Sequence, residues 1–218
     1  MKRMYALVEG QTEETFVRDV LAPHLAQRSV YLNPVIIKTG RGGGSGRGGI
    51  SHYHPIQRNL RELLGDSGAS AVTTMFDFYD LPADFPGREN LPTGKAVDRA
   101  EHLEQALAEA IGDRRLLPYL SLHEFEALLF VQPDQIRAVI PNSGEAVATL
   151  VQEAATFSNP EEIDEGPETH PSARLGRRLP GYRKRLHGPL VVQRIGLPAL
   201  RSKCPHFDHW ITLLENFQ

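Results

Sequence analysis

Short apolar runs of strand length alternate with amphipathic stretches of helix length through the first 130 residues, an order that few folds accommodate. Met4–Val8, Val30–Ile37, Ala69–Phe76 and Arg115–Leu122 read as strands. Glu13–Gln27, opened by Thr12 as N-cap, a stretch around Ile56–Leu64, and Ala96–Ile111 read as helices, and the segment HEFEALLF after the fourth run is helix-like. Strand–helix alternation of this kind predicts an α/β fold, a mostly parallel sheet flanked by helices. Beyond Pro141 the pattern is mainly helical. The expected organisation is therefore a sheet domain over residues 1–140 and a helical, basic C-terminal extension over 141–218 packed on it.

In open parallel sheets, functional groups collect at the carboxyl ends of the strands. Here Glu9 follows the first strand, Asp77 the third, and Glu124 and Glu126 the fourth. Carboxylates brought to one edge repel one another, and a divalent cation relieves that repulsion. A sparse set of hard oxygen ligands suits Mg2+ or Mn2+. Glu9 precedes Gly10, and a turn there needs the glycine rather than the glutamate. Glu13 and Glu14 are accounted for by the positive end of the helix they open, Asp80 and Asp84 by turns. Glu124 and Glu126 are two apart and cannot face the same way on a helix, so one of them is expected to reach the cluster; both stay open at this point.

The net charge of −3 indicates no particular partner, but its distribution does. Residues 169–207 contain no acid and nine arginines and lysines. Among them Arg174, Arg177, Arg178, Arg183, Lys184 and Arg185 are the expected ligands for a phosphate backbone, with Tyr182 either stacking on a base or packing in the core. Residues 40–49 hold seven glycines, a serine, Arg41 and Arg47. They read as a surface loop, either a lid that adds two phosphate contacts or an inert connection; the G-x-G-x-x-G match at Gly44, Gly46 and Gly49 is nearly forced by composition. The single cysteine, Cys204, excludes an internal disulfide framework, and with His206 and His209 beside Trp210 it reads as helix packing rather than a zinc site. The N-terminal MKRMYALVEGQTEE is neither a signal sequence nor a span, so a cytoplasmic protein without a membrane partner is expected.

Val8-Glu9-Gly10-Gln11-Thr12-Glu13 resembles the first motif of Toprim domains, a strand-end glutamate followed by glycine and a helix, in a form closest to the OLD-type nucleases. Phe76-Asp77-Phe78-Tyr79 stands where those domains carry Asp-x-Asp, and Leu122-His123-Glu124-Phe125-Glu126 resembles the later acidic element. Over nearly its full length the chain is similar to a family of small Toprim-like proteins that includes effector subunits paired with ATPases in bacterial anti-phage systems. The resemblance implies a Mg2+- or Mn2+-dependent nuclease acting on DNA or structured RNA such as tRNA. It implies Glu9 and Asp77 as catalytic residues, Glu9, Asp77, Glu124 and Glu126 as the metal set, an ATPase subunit as partner, and is compatible with a homodimer. The chain departs from the pattern at Tyr79, where a second aspartate is expected. Either Asp80 takes that place, or Glu124 and Glu126 complete the site, or one metal binds. The departure also admits a non-catalytic nucleic-acid-binding or regulatory subunit. Primase and topoisomerase activities are set aside, for want of a zinc module and a strand-passing domain.

Overall fold

Five parallel strands form the sheet of the computed structural model, which describes residues 1–39, 50–163, 166 and 168–217. The glycine loop with Arg41 and Arg47 lies outside the described residues. The strands are β1 (Lys2–Val8), β2 (Val30–Ile36), β3 (Ala71–Asp77), β4 (Leu116–Leu117) and β5 (Leu120–Ser121), in the order β2-β1-β3-β4, with β5 also on β3. Every pairing is parallel, so all five carboxyl ends share one edge. This is the α/β architecture the alternation predicts.

The period-two alternation of strand side chains divides the core in two. Met4, Ala6 and Val8 of β1 with Ala71 and Met75 of β3 face one layer; Leu7, Val72 and Phe76 face the other. The first layer consists of α1 (Gln11–Phe16) and α2 (Ala22–Ala26) together with α5 (Gly144–Ala154), α6 (Pro171–Arg178), α7 (Lys184–Ile195), α8 (Leu197–Lys203) and α9 (Pro205–Asn216). The second consists of α3 (Tyr53–Leu64) and α4 (Ala96–Ile111). In α4 the buried Ala100, Leu103 and Leu107 recur at three- and four-residue spacing, and Gly112, at φ 72°, ends the helix in the left-handed conformation glycine accepts without strain. The C-terminal helices thus share a core with β1 rather than forming one of their own.

Four local expectations are corrected. Gly10, not Thr12, caps the first helix, whose first turn already includes Gln11. That helix widens to a π turn over Val17–Leu21 before α2; Pro23 has no N–H to offer the carbonyl four residues back, and the Ala22 N–H bonds Val17 instead. The fourth strand is two short pieces because Pro118 cannot donate to the ladder. Thr74 bridges the break, its hydroxyl donating to the Tyr119 carbonyl (2.9 Å) and accepting from the Tyr119 N–H (2.8 Å). The HEFEALLF segment forms a 3-10 helix over Phe125–Val131 rather than an α-helix, with residues 125–130 all buried.

Candidate active site

β1 and β3 are neighbours, so Glu9, one residue beyond β1, and Asp77, the last residue of β3, emerge side by side. Asp77 is 5 % exposed and its Oδ1 accepts the Phe125 N–H at 3.0 Å, which ties the segment after β5 to the end of β3. Glu13, buried in the first turn of α1, folds back to accept the Gly10 N–H at 3.1 Å and so both closes the turn after Glu9 and adds its charge there. Glu126 is fully buried, and its Oε1 accepts a hydrogen bond from the Tyr182 hydroxyl at 3.3 Å. At the start of α7 the Lys184 ammonium reaches into this group, 3.3 Å from Asp77 Oδ2 and 3.0 Å from Glu126 Oε2.

Burial pushes the Glu9 carboxyl up to about 7, with Glu13 and Asp80 adding to the rise and Lys184 opposing it. Burial likewise holds Asp77 well above the usual carboxylate range, against the pull of Lys184, and raises Glu126. For Lys184, burial alone would depress the ammonium, but Asp77, Glu126 and Glu13 outweigh it and hold its pKa above the ordinary lysine value. A carboxylate whose folded pKa lies above its unfolded one binds its proton more tightly in the folded state. Its contribution to stability is therefore fully present below about pH 4.5 and lost as pH rises to about 7. The rise at Glu9 corresponds to about 3 kcal/mol. Urea unfolding in EDTA between pH 5 and 8 is expected to show this loss in the wild type and a flatter profile in Glu9→Gln; parallel profiles would count against it.

Glu124 turns the other way. It accepts the Ser172 N–H and hydroxyl, each at 3.1 Å, and lies 2.7 Å from His170 Nδ1, and the Tyr79 ring stacks on His170 at 5.9 Å and 18°. Of the four carboxylates expected as metal ligands, Asp77 and Glu126 meet at Lys184, Glu9 stands beside them, and Glu124 holds α6. His170 and Ser172 went unnoticed in the sequence, where the only signal is a polar pair around the proline that opens α6. Among the described residues, no three His, Cys, Asp or Glu side chains as placed surround a point from which they would hold an ion.

The basic window is partly compensated. Glu153 of α5 pairs with Arg178 at 2.9 Å and Arg174 at 3.5 Å, Arg177 donates to the Glu168 carbonyl, and Arg201 pairs with Asp208 and Glu215. Arg183 and Arg185, on either side of Lys184, are exposed, and no ion pair is recorded for them among the described residues. A separate cavity of about 620 Å³ opens between the start of α4, His123 and the start of α9. Its Glu161 carboxylate is spent on the His206 and Phe207 N–H groups, at 3.0 and 2.9 Å, and it lies outside the carboxylate group. Among the described residues no helix is long and apolar enough to cross a membrane.

The fold and site together define an open parallel α/β protein with a buried acidic group at the carboxyl edge of its two central strands. The chain belongs to the family described as "Domain of unknown function (DUF4276)", whose model matches residues 8–215. It is similar to two solved structures. One is the C-terminal region of the Burkholderia pseudomallei OLD protein, with 17 % identity and a TM-score of 0.45, covering 99 % of this chain and 98 % of that one. The other is the C-terminal region of the Xanthomonas campestris pv. campestris OLD protein, with 18 % identity and a TM-score of 0.38, covering 98 % of each. No curated protein matches the chain.

Proposed function

We propose that the protein is a metal-dependent nuclease that hydrolyses phosphodiesters of DNA or structured RNA at Glu9 and Asp77. The observation that carries this reading is the placement of Glu9 and Asp77 at adjacent strand ends, with a third carboxylate, Glu126, buried beside them, and burial raises all three above the usual carboxylate range. The donor set fits Mg2+ or Mn2+: it is all carboxylate oxygen, and its excess negative charge is what a hard cation relieves. Glu9 and Asp77 would hold the ion, with Glu126 within the same group; so few protein ligands are usual for Mg2+, which keeps waters and takes substrate oxygens. When bound, such an ion polarises the phosphate and lowers the pKa of bound water. The chain's own residues do the rest. The Phe125 N–H fixes the Asp77 carboxylate. Glu9, with its proton lost near pH 7, also suits the role of general base. Lys184 offsets charge at the cluster, and Arg183 and Arg185 flank it as phosphate ligands, with Arg174, Arg177, Arg178, Arg41 and Arg47 as further contacts along the backbone. An ATPase subunit as partner and a role in anti-phage defence follow from the family resemblance.

A second reading, a nucleic-acid-binding subunit without catalysis, has an observation of its own: Lys184 already neutralises part of the acidic group. Cleavage of labelled plasmid DNA and total tRNA separates the two, with Mg2+ or Mn2+ against EDTA and with Glu9→Ala and Asp77→Ala alongside. Metal-dependent cutting that falls at least about 100-fold in both variants is the expected result. Binding without cutting in every metal condition would favour the second reading.

A further inference from the structure

We propose that Tyr79 and His170 form a stacking platform for one unpaired base of the strand held at the carboxylate group. This deepens the nuclease reading and rests on it for the position of the strand. Tyr79 stands where the second motif aspartate is expected, and the structure gives its ring a different task. The ring lies two residues beyond Asp77 on the 3-10 turn Phe78–Asp80, stacked at 18° on His170. It remains 44 % exposed although it meets His170 in an offset, near-parallel contact.

Both halves of the platform are anchored to the acidic group. Tyr79 is tied through the backbone to Asp77. His170 is held at Nδ1 by Glu124, at 2.7 Å, and the next residue, Phe125, donates its N–H to Asp77. The other aromatic candidate near the site, Tyr182, directs its hydroxyl inward to Glu126, and the similarly exposed Tyr31 sits near the beginning of β2, at the opposite edge of the sheet. Tyr79 is therefore the aromatic face presented beside the carboxylates.

A free aromatic face accepts any base, because every base has a π-face. In a duplex both faces of an internal base are covered by its neighbours, so only an unpaired or displaced base can lie on the platform. Lys184, between the exposed Arg183 and Arg185, reaches Asp77 at 3.3 Å, and Tyr79 follows Asp77 by two residues, so a strand bound at these arginines lies in the neighbourhood of the platform. The chemistry recognised is the exposed face of a nucleobase; ribose and deoxyribose strands both supply it, and the platform distinguishes unpaired from paired rather than one sugar from the other.

The test is fluorescence anisotropy with the full chain and labelled oligonucleotides of about 12 nucleotides. Single-stranded DNA, single-stranded RNA and the corresponding duplexes are compared, in Ca2+ and again in EDTA so that cleavage does not intervene. Tyr79→Ala is expected to weaken single-strand binding about tenfold while leaving duplex binding within twofold, Tyr79→Phe to retain it, and His170→Ala to lose part of it. The same thermal midpoint in Tyr79→Ala and wild type establishes that folding is intact. Unchanged single-strand binding in Tyr79→Ala, an equal loss on duplex, or failure of Tyr79→Phe to restore binding each overturns the platform. Cleavage in Mg2+ is scored separately. Cutting that ignores Tyr79 refutes the platform and leaves the nuclease reading standing, whereas Tyr79-dependent binding without cutting refutes the nuclease reading and leaves the platform. No nucleic-acid binding in either ion condition refutes both.

Discussion

Lys184→Met is expected to destabilise the protein by about 2–4 kcal/mol at pH 8 and by much less at pH 5. Removing one partner of a buried charge group leaves the others uncompensated, which typically costs about 3–5 kcal/mol. The Lys184 side chain is 40 % exposed, which moves the expected loss to the bottom of that range or just below it, but Glu126 is wholly buried and Asp77 nearly so. The sign of the pH effect follows from the carboxylates. Without the ammonium they bind protons still more tightly, so fewer of them are charged at the lower pH and less depends on the ammonium there. Methionine keeps the apolar stem, which separates loss of charge from loss of packing. Urea unfolding in EDTA at the two pH values gives the difference directly, and an equal loss at both would mean that Lys184 acts through packing alone.

Trp210→Ala should cost about 4 kcal/mol, a large part of the margin of an ordinary domain. Trp210 is 2 % exposed, lies parallel to Tyr119 at 4.1 Å, meets Phe207 edge-on at 5.7 Å, and donates its Nε1–H to Thr73 Oγ1 at 2.8 Å. Thr73 in turn donates to the Leu117 carbonyl at 2.6 Å. One side chain thus joins α9 to β3 at the place where the fourth strand is interrupted. Trp210→Phe keeps most of the buried area but leaves Thr73 without that donor, and about 1–2 kcal/mol is the expected loss. A denaturation series in which alanine costs no more than phenylalanine would show that the ring is not what holds the helix.

β3 was legible because it is buried on both faces, with every one of its residues buried. Ala96–Ile111 was legible to the residue because its apolar spacing and Gly112 agree. What escaped depends on partners distant in the chain or on missing N–H groups. Pro118 splits a strand whose composition is otherwise uniform, and Pro23 converts part of a helix to a π turn without altering its hydrophobic pattern. At the site, the strand-end carboxylates were visible from their position alone, but their directions were not. Lys184 lies between Arg183 and Arg185 and reads as one of a basic run, yet the first turn of α7 sends its ammonium inward while its neighbours stay exposed. The acid-free window looked uncompensated because Glu153 lies outside it and meets Arg174 and Arg178 only after α5 and α6 pack together.

The two prolines at the flanks of the sheet bear on how the protein behaves in a crowded solution. An unpaired strand edge invites a second molecule to add itself by main-chain hydrogen bonds, and long flat edges seed aggregates. Here one flank is β2, where Pro34 removes a donor from the row. The other is β4 and β5, two residues each, separated by Pro118 and with Thr74 already occupying the Tyr119 main chain. Among the described residues both flanks are interrupted in this way, which disfavours assembly by strand addition and leaves side chains and helix surfaces as the better-suited contacts.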